Sequence, residues 1–199
     1  MQIARVTSDE LNDFRSLVNA EIRPDRAKTN AWEDFPLVLG PENTDWMLAV
    51  RDEAGRIIGG MAALIRDFRT NWGVMPIAGI GSVVTRPESR GRGISTALQN
   101  EMLTRLRRKN VPLAVLWTDQ PEIYAGRGFA AAGWEIHVDF TGADLSTAAG
   151  DARVREYRNE DAPAIEALFD AHACGTVRLP GDSAALYGMP GTQGLVLVE

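Results

Sequence analysis

Four residues in the middle of this chain, Arg90-Gly91-Arg92-Gly93, place positive charge and glycine directly before a helical pattern. Glycine lets the backbone take conformations closed to other residues and lets a ligand approach closely. The amide N–H groups in the first turn of a helix have no partner inside the helix, and they attract anions. Residues 90–96 therefore predict a phosphate site, with Arg90 and Arg92 adding charge beside it.

A strand and a helix must hold this loop in place. Val83 and Val84 are strand formers, and Pro87 cannot continue a central strand, so the strand is expected to end near Thr85. After the loop, apolar residues recur at three- and four-residue spacing, which predicts a helix from about Gly93 to Lys109. Those positions are Ile94, Ala97, Leu98, Met102 and Leu106.

The residue types decide among the known phosphate loops. A P-loop needs Gly-Lys-Ser/Thr, and a dinucleotide fingerprint needs G-x-G-x-x-G, whereas here Ser95 and Thr96 follow Gly93. The stretch Arg90–Ser95 resembles the acetyl-CoA loop of the GNAT N-acetyltransferase superfamily, Arg/Gln-x-x-Gly-x-Gly/Ala. Ser95 stands in place of its last small residue. The alternative is a basic glycine turn before an ordinary helix.

A second stretch, Tyr124 to Phe129, resembles the other GNAT signature, in which a helix carries Tyr-x-x-x-Gly-Phe. Tyr124, Gly128 and Phe129 fit that pattern. The family often has Asn before this helix, where this chain has Gln120 and Pro121. The resemblance as a whole covers about residues 1–140.

The resemblance implies an α/β (α+β) protein with the GNAT acyl-CoA N-acyltransferase fold, a mixed central sheet flanked by helices. In that fold the strand before the loop carries a bulge and splays from the next strand, and the pantetheine arm of acetyl-CoA lies in the gap. Glycines within residues 74–85 independently suggest a bulge. The cosubstrate-binding residues expected from the resemblance are Val83, Val84, Thr85, Arg90, Gly91, Arg92, Gly93, Ile94, Ser95 and Thr96.

The implied reaction moves an acetyl group from acetyl-CoA to an acceptor, most often a primary amine. A base must deprotonate the amine, and Tyr124 is the candidate acid that protonates the leaving thiolate, because a phenol is protonated at neutral pH. The base stays open among acidic residues of the acceptor region and one strand end. These are Glu33, Asp34, Glu42, Asp45 and Asp119. The alternative function is a non-catalytic acyl-CoA-binding or regulatory domain.

The amino-acid composition limits which classes of ligand and partner the chain is expected to bind. The 199 residues are 45% hydrophobic and 24% charged, with a net charge of −6. An acidic protein is a poor nucleic-acid binder and favours cationic substrates such as amines. One cysteine and two distant histidines predict neither a disulfide nor a metal site. No signal or membrane-spanning run is present, so we expect a cytoplasmic protein.

The order of patterns predicts three regions: a GNAT domain at 1–140, a linker at 141–150 and a tail at 151–199. In the first region, Ser8 is expected to cap a helix, residues 46–50 and 56–65 to form a hairpin, and residues 113–117 to form a buried strand. The tail begins with a strand, an acidic pair and an amphipathic helix, as residues 3–17 do. This resembles tandem GNAT proteins with an incomplete second copy, or an accessory or homodimerisation element.

Overall fold

The computed structural model describes residues 2–23, 29–134, 136, 153–190 and 194–198. Their contacts form two units. The first unit joins Met1–Trp117 to Ala162–Thr192, and the second joins Thr118–Asp161 to Gln193–Glu199. The predicted linker lies outside the described residues. A closing strand or strand pair expected over residues 130–140 does not form at 130–134 or at 136, and its other residues lie outside the described part. The division at 140 and 150 therefore stays a prediction.

The strands are β1 (Gln2–Arg5), β2 (Met47–Arg51), β3 (Ile57–Thr70), β4 (Gly73–Thr85), β5 (Leu113–Val115), β6 (Arg153–Glu156), β7 (Gly175–Thr176) and β8 (Leu195–Val198). The helices are α1 (Leu11–Ile22), α2 (Ala31–Asp34), α3 (Pro36–Leu39), α4 (Ile94–Arg108), α5 (Ala162–Asp170) and α6 (Asp182–Tyr187). In the first unit β1 to β4 pair antiparallel in chain order, and β5 joins β4 in parallel. The predicted mixed sheet flanked by helices is confirmed.

Two adjacent glycines in β3 show how closely the helices approach this sheet. A Cβ atom on Gly59 would meet Ile94 of α4 at 2.5 Å, and one on Gly60 would meet the ring of Phe14 in α1 at 2.5 Å. Successive residues of a strand face opposite sides of a sheet. The helices α1 and α4 therefore cover opposite faces, and glycine provides the space for both.

The first helix buries the predicted face, with Leu11, Phe14, Leu17 and Val18 all inside. The predicted cap is wrong, because Glu10 rather than Ser8 organises the helix start. Its carboxylate accepts hydrogen bonds from the amide and hydroxyl of Thr7, both at 2.9 Å, and pairs with Arg51 at 2.5 Å. One side chain thus links the turn between β1 and α1 to β2.

The predicted hairpin is confirmed as β2 and β3. The Asp52 carboxylate closes its turn by accepting from the amides of Ala54 and Arg56 at 3.1 and 2.9 Å. The predicted strand at 113–117 is shorter, since β5 ends at Val115, and it is not fully buried, because Leu113 is 44% exposed. Among the described strands β5 is the last in the order, so no described strand covers its outer side.

Part of the tail packs onto the sheet of the first unit. The short strand β7 pairs with Phe68 and Arg69 at the edge of β3. Arg66 of β3 holds the Asp182 carboxylate with two hydrogen bonds of 2.8 and 2.9 Å. Burial works to raise the pKa of Asp182, but the bonds from Arg66 and from the Leu179 amide outweigh it and hold that pKa below its usual value.

The second unit contains a strand pair built like that of β1 and β2. Antiparallel pairing joins β6 to β8, from Arg153 opposite Val198 to Glu156 opposite Leu195. Beyond β6 the Asp161 carboxylate accepts from the Arg158 amide at 2.8 Å, as Glu10 does from Thr7. The two strand pairs share antiparallel pairing and an amide contact, and the repeat itself stays a prediction.

Candidate functional site

The C-terminal half of β4 carries the predicted bulge. Gly60 lies opposite Val84 and Ala62 opposite Gly81, so β4 uses one residue more than β3 over this interval. Ser82 absorbs the extra residue with a φ of 52°, in the left-handed region that few non-glycine residues adopt. The bulge turns backbone groups of β4 out of the regular ladder.

The two parallel strands of the sheet separate on the loop side of Gly79. Strand β5 pairs with β4 only at Ile77, Ala78 and Gly79. Within the described residues no strand pairs with the β5-facing side of Ile80–Thr85. The backbone N–H and C=O groups on that side are open to hydrogen bonding with a ligand. The Thr85 carbonyl is the exception, because it accepts a hydrogen bond from Arg90 Nε at 3.2 Å.

The loop itself depends on two glycines in left-handed conformation. Gly91 has a φ of 75° and Gly93 a φ of 74°. A Cβ atom at either position would meet nothing within 4 Å, so the space beside the loop is open. The first hydrogen bond of α4 runs from the Ala97 amide to the Gly93 carbonyl at 3.0 Å. The amides of residues 94–96 therefore have no acceptor inside the helix and face this loop.

The two loop arginines differ in their partners. Arg90 pairs with Glu21 of α1 at 2.6 Å, although its side chain is 62% exposed. Arg92 is exposed and lines a cleft of about 440 Å³ with Ile94 and with the turn between β2 and β3. The sequence did not predict the Glu21 contact, because the two residues lie far apart in the chain.

Several predicted binding residues point into the core rather than outward. The side chains of Val84 and Ile94 are 4% and 2% exposed, so only their backbone can face a ligand. Ser95 Oγ accepts from Gln99 Nε2 at 3.1 Å, and no donor to the buried Gln99 Oε1 is found among the described residues. Sequence reasoning missed Gln99, although its spacing of four from Ser95 on the inner face of α4 was a usable signal.

The second signature differs from the helix that the resemblance implies. Pro121–Ile123 form a short 3-10 helix, and Tyr124 follows it in a turn. The Tyr124 ring meets Phe129 edge to face, with centroids 5.9 Å apart. Burial raises the pKa of the Tyr124 phenol, and the Arg127 charge opposes this only in part. Tyr124 therefore stays protonated at neutral pH.

Three of the five candidate bases have structural contacts of their own. Asp34 pairs with Arg23 at 3.0 Å, and Glu33 accepts from the amide of Asn30 at 2.7 Å. Asp45 pairs with Arg5. Among the described residues no three His, Cys, Asp or Glu side chains gather as metal ligands. No described helix has the length and apolarity to cross a membrane.

Comparison with known proteins agrees with this geometry. The family model of the acetyltransferase (GNAT) domain matches residues 2–132. An uncharacterised N-acetyltransferase of Streptomyces coelicolor is 31% identical over 125 residues, which are 61% of this chain and 29% of that protein. The chain therefore spans less than a third of this relative.

Solved structures share the fold at low identity. A probable N-acyltransferase of Enterococcus faecalis is 14% identical with a TM-score of 0.71, over 98% of this chain and 51% of its own. A GNAT acetyltransferase of Brucella melitensis in complex with acetyl-CoA is 22% identical with a TM-score of 0.53, over 65% of this chain and 82% of its own. On the strength of the family match, this chain belongs to the GNAT family of acetyltransferases.

Proposed function

We propose that this chain transfers an acetyl group from acetyl-CoA to an amine acceptor by direct attack, with Tyr124 as the general acid. The observation that carries the proposal is the continuous arrangement of a bulged strand, a left-handed glycine loop and an open helix start within residues 81–96. The acetyl-CoA bound to the Brucella melitensis relative supports the choice of donor.

In this proposal the backbone binds the donor. The free amides of Ile94, Ser95 and Thr96 hold the pyrophosphate, and the absence of side chains at Gly91 and Gly93 lets it approach. The backbone of Val83, Val84 and Thr85 bonds to the amides of the pantetheine arm. Arg92 adds positive charge at the loop. Arg90 contributes less, because its ion pair with Glu21 offsets its charge.

The proposed reaction needs three proton transfers, two from the acceptor nitrogen and one to the leaving thiolate. A base removes a proton from the ammonium group of the acceptor, because a protonated amine has no lone pair with which to attack. The amine nitrogen then bonds to the thioester carbon, and a backbone N–H near the bulge stabilises the oxyanion. The attacking nitrogen loses its second proton to solvent, the carbonyl re-forms as the carbon–sulfur bond breaks, and Tyr124 donates its proton to the CoA thiolate.

Calorimetric titration of acetyl-CoA tests the proposed loop. Gly93→Ala should weaken binding by about tenfold, because the new Cβ lies where the phosphate approaches. The control is Gly181→Ala, since Gly181 also precedes a helix in left-handed conformation with open space around it. An equal loss in both variants, or no binding to the parent chain, would overturn the assignment.

Turnover is tested separately by release of free CoA thiol with a panel of primary amines. Binding with turnover supports the enzyme. Binding with no turnover across the panel would favour the non-catalytic acyl-CoA-binding alternative.

A further inference from the structure

A second cleft lies in the first unit, at the opposite end of α4 from the loop. Its volume is about 530 Å³, within the range of small-molecule sites. The apolar residues of its lining are Trp46, Ile65, Pro76 and Val111. Four cations, Arg5, Arg105, Arg108 and Lys109, stand around it, with Asp45 as the one acidic residue of the lining.

Two of the four cations are balanced by carboxylates. Arg5 pairs with Asp45, and Arg105 pairs with Glu101 at 2.7 Å. Neither Arg108 nor Lys109 has a carboxylate partner in the part of the chain that the structure describes. A local excess of two positive charges beside apolar surface contrasts with the net charge of −6 of the whole chain.

A solvated helix end does not account for this arrangement. Cations in the last turn of a helix stabilise its dipole wherever they point. Arg107 supplies such a charge but does not line the cleft, whereas Arg105, Arg108 and Lys109 do. The cleft at the other end of α4 is also different, because its lining contains as many acidic residues, Asp52 and Glu53, as cations, Arg51 and Arg92.

This cleft is separate from the proposed acetyl-CoA loop. A helix rises by about 1.5 Å per residue, which puts Arg105 about 16 Å from Ile94 along α4. One short organic molecule in the cleft would not reach the loop glycines.

We infer that the cleft binds a small organic anion, an apolar ring or chain that ends in a carboxylate or phosphate. The apolar body lies on Trp46 and Ile65, and the anionic group meets Arg108 and Lys109. Electrostatic attraction to two unbalanced cations and burial of apolar surface act on the same molecule.

The test titrates 2-naphthyl phosphate, 2-naphthoate and neutral 2-naphthamide into the full chain. At least one anion should bind one per chain and about tenfold more tightly than the amide, and added salt should reduce the difference. The tighter of the two anions identifies the head group. Equal affinity for the amide would overturn the inference.

Matched variants locate the site. Replacing Arg108 and Lys109 together by Glu should weaken anion binding by about tenfold, whereas Arg107→Glu should change it by less than about twofold. Gly93→Ala should leave it unchanged. An equal effect of Arg107→Glu, or a loss in Gly93→Ala, would overturn the inference.

Tryptophan emission gives a second measurement. Bound naphthyl compound should quench the fluorescence of Trp46, and Trp46→Phe should remove that quenching while the protein stays folded by circular dichroism. Quenching that persists undiminished in Trp46→Phe would place the molecule elsewhere and contradict the inference.

Discussion

At the scale of single residues, Tyr124 combines a half-buried phenol with an edge-to-face contact to Phe129. Tyr124→Phe keeps that contact and removes only the hydroxyl. If Tyr124 is the acid, kcat should fall by about 10²–10⁴-fold while the Kd for acetyl-CoA stays unchanged. Tyr187→Phe is the control, and kcat there should be unaffected. An active Tyr124→Phe enzyme would eliminate the proposed role.

The pH profile tests the same hydroxyl. Because burial raises the pKa of Tyr124 above 10, the acid stays protonated through the neutral range. The rate should therefore rise with pH as the acceptor amine, with a pKa near ~10.4, loses its proton. A decline in kcat/KM with rising pH that begins below pH ~9, and that is absent in Tyr124→Phe, would show that the phenol titrates earlier than its burial implies.

The sequence could predict the backbone geometry of the loop, because glycine permits left-handed conformations through local sterics, while the binding role of the loop residues stays a prediction. Gly91 and Gly93 adopt the left-handed conformations that their type allows. It could not predict the Arg90–Glu21 pair or the unsatisfied Gln99 Oε1, because those depend on which helices meet in space.

At the scale of elements, the close approach of α4 to β3 depends on Gly59. Gly59→Ala should force Ile94 and the start of α4 away from the sheet, and it should cost about 1–3 kcal/mol of stability. It should also weaken acetyl-CoA binding. Gly79→Ala is the matched control in β4, because its nearest contact would be at 3.9 Å. Equal urea midpoints for the two variants would contradict this account.

A second element-scale prediction concerns Glu10. The hydrogen bond from Arg51 is the main cause that lowers its pKa from 4.5 to about 2. A carboxyl with a depressed folded-state pKa stabilises the fold above its unfolded-state pKa and loses that contribution as the pH falls. Glu10→Gln should therefore cost about 1–2 kcal/mol at neutral pH after allowance for solvent screening.

Chemical denaturation across pH measures this effect. The difference between the parent chain and Glu10→Gln should shrink between pH 4.5 and about 2. Glu88→Gln provides the control, since its pair with Arg56 is exposed and 3.4 Å long. A difference that stays constant down to pH 2 would show that Glu10 acts by packing rather than by charge.

Helices and strands were predicted correctly where the apolar pattern runs over many residues, and incorrectly where glycines interrupt it. The helix α4 and the hairpin of β2 and β3 follow their apolar patterns. The expected helix at Tyr124 does not form, because Gly126 and Gly128 adopt φ values of 78° and 89° that a right-handed helix excludes. The stretch Tyr124 to Phe129 thus matches the signature in residue types but forms a turn instead of a helix.

At the scale of the whole molecule, the predicted domain boundary at residue 140 would remove β7 and α6 from the first unit. Asp182 is the test residue, because its carboxylate binds Arg66 where both side chains are largely buried. Asp182→Asn should lower the free energy of unfolding by about 1–3 kcal/mol. Asp170→Asn should change it by less than about 0.5 kcal/mol, since Asp170 is 61% exposed and lies 3.7 Å from Arg69.

Urea denaturation of the two variants and of a chain ending at residue 140 gives the measurement. We expect the shortened chain to be less stable than the full chain and to expose the edge of β3. If the shortened chain is as stable as the full one, and Asp182→Asn leaves the free energy of unfolding unchanged, the contacts of the tail with the sheet do not stabilise the fold.

The sequence could predict a strand and a helix at the start of the tail, because that pattern is local, and the proposed repeat of the chain start stays a prediction. It could not predict that residues 162–192 also pack onto β3, since that pairing joins Phe68 to Thr176 across the chain.

The pairing of β7 with β3 sets an order of events during synthesis. The Asn43 side chain can donate to the Ala63 carbonyl of β3 as soon as β3 is made. The Asp67 carbonyl gains its donor only with the Val177 amide, and the Arg66 side chain gains its carboxylate acceptor only with Asp182. From Thr70 to Asp182 the ribosome adds 182 − 70 = 112 residues. At about 5–20 residues per second this takes about 6–22 s. Throughout that interval the nascent sheet presents an open edge, to which chaperones or neighbouring nascent chains have access.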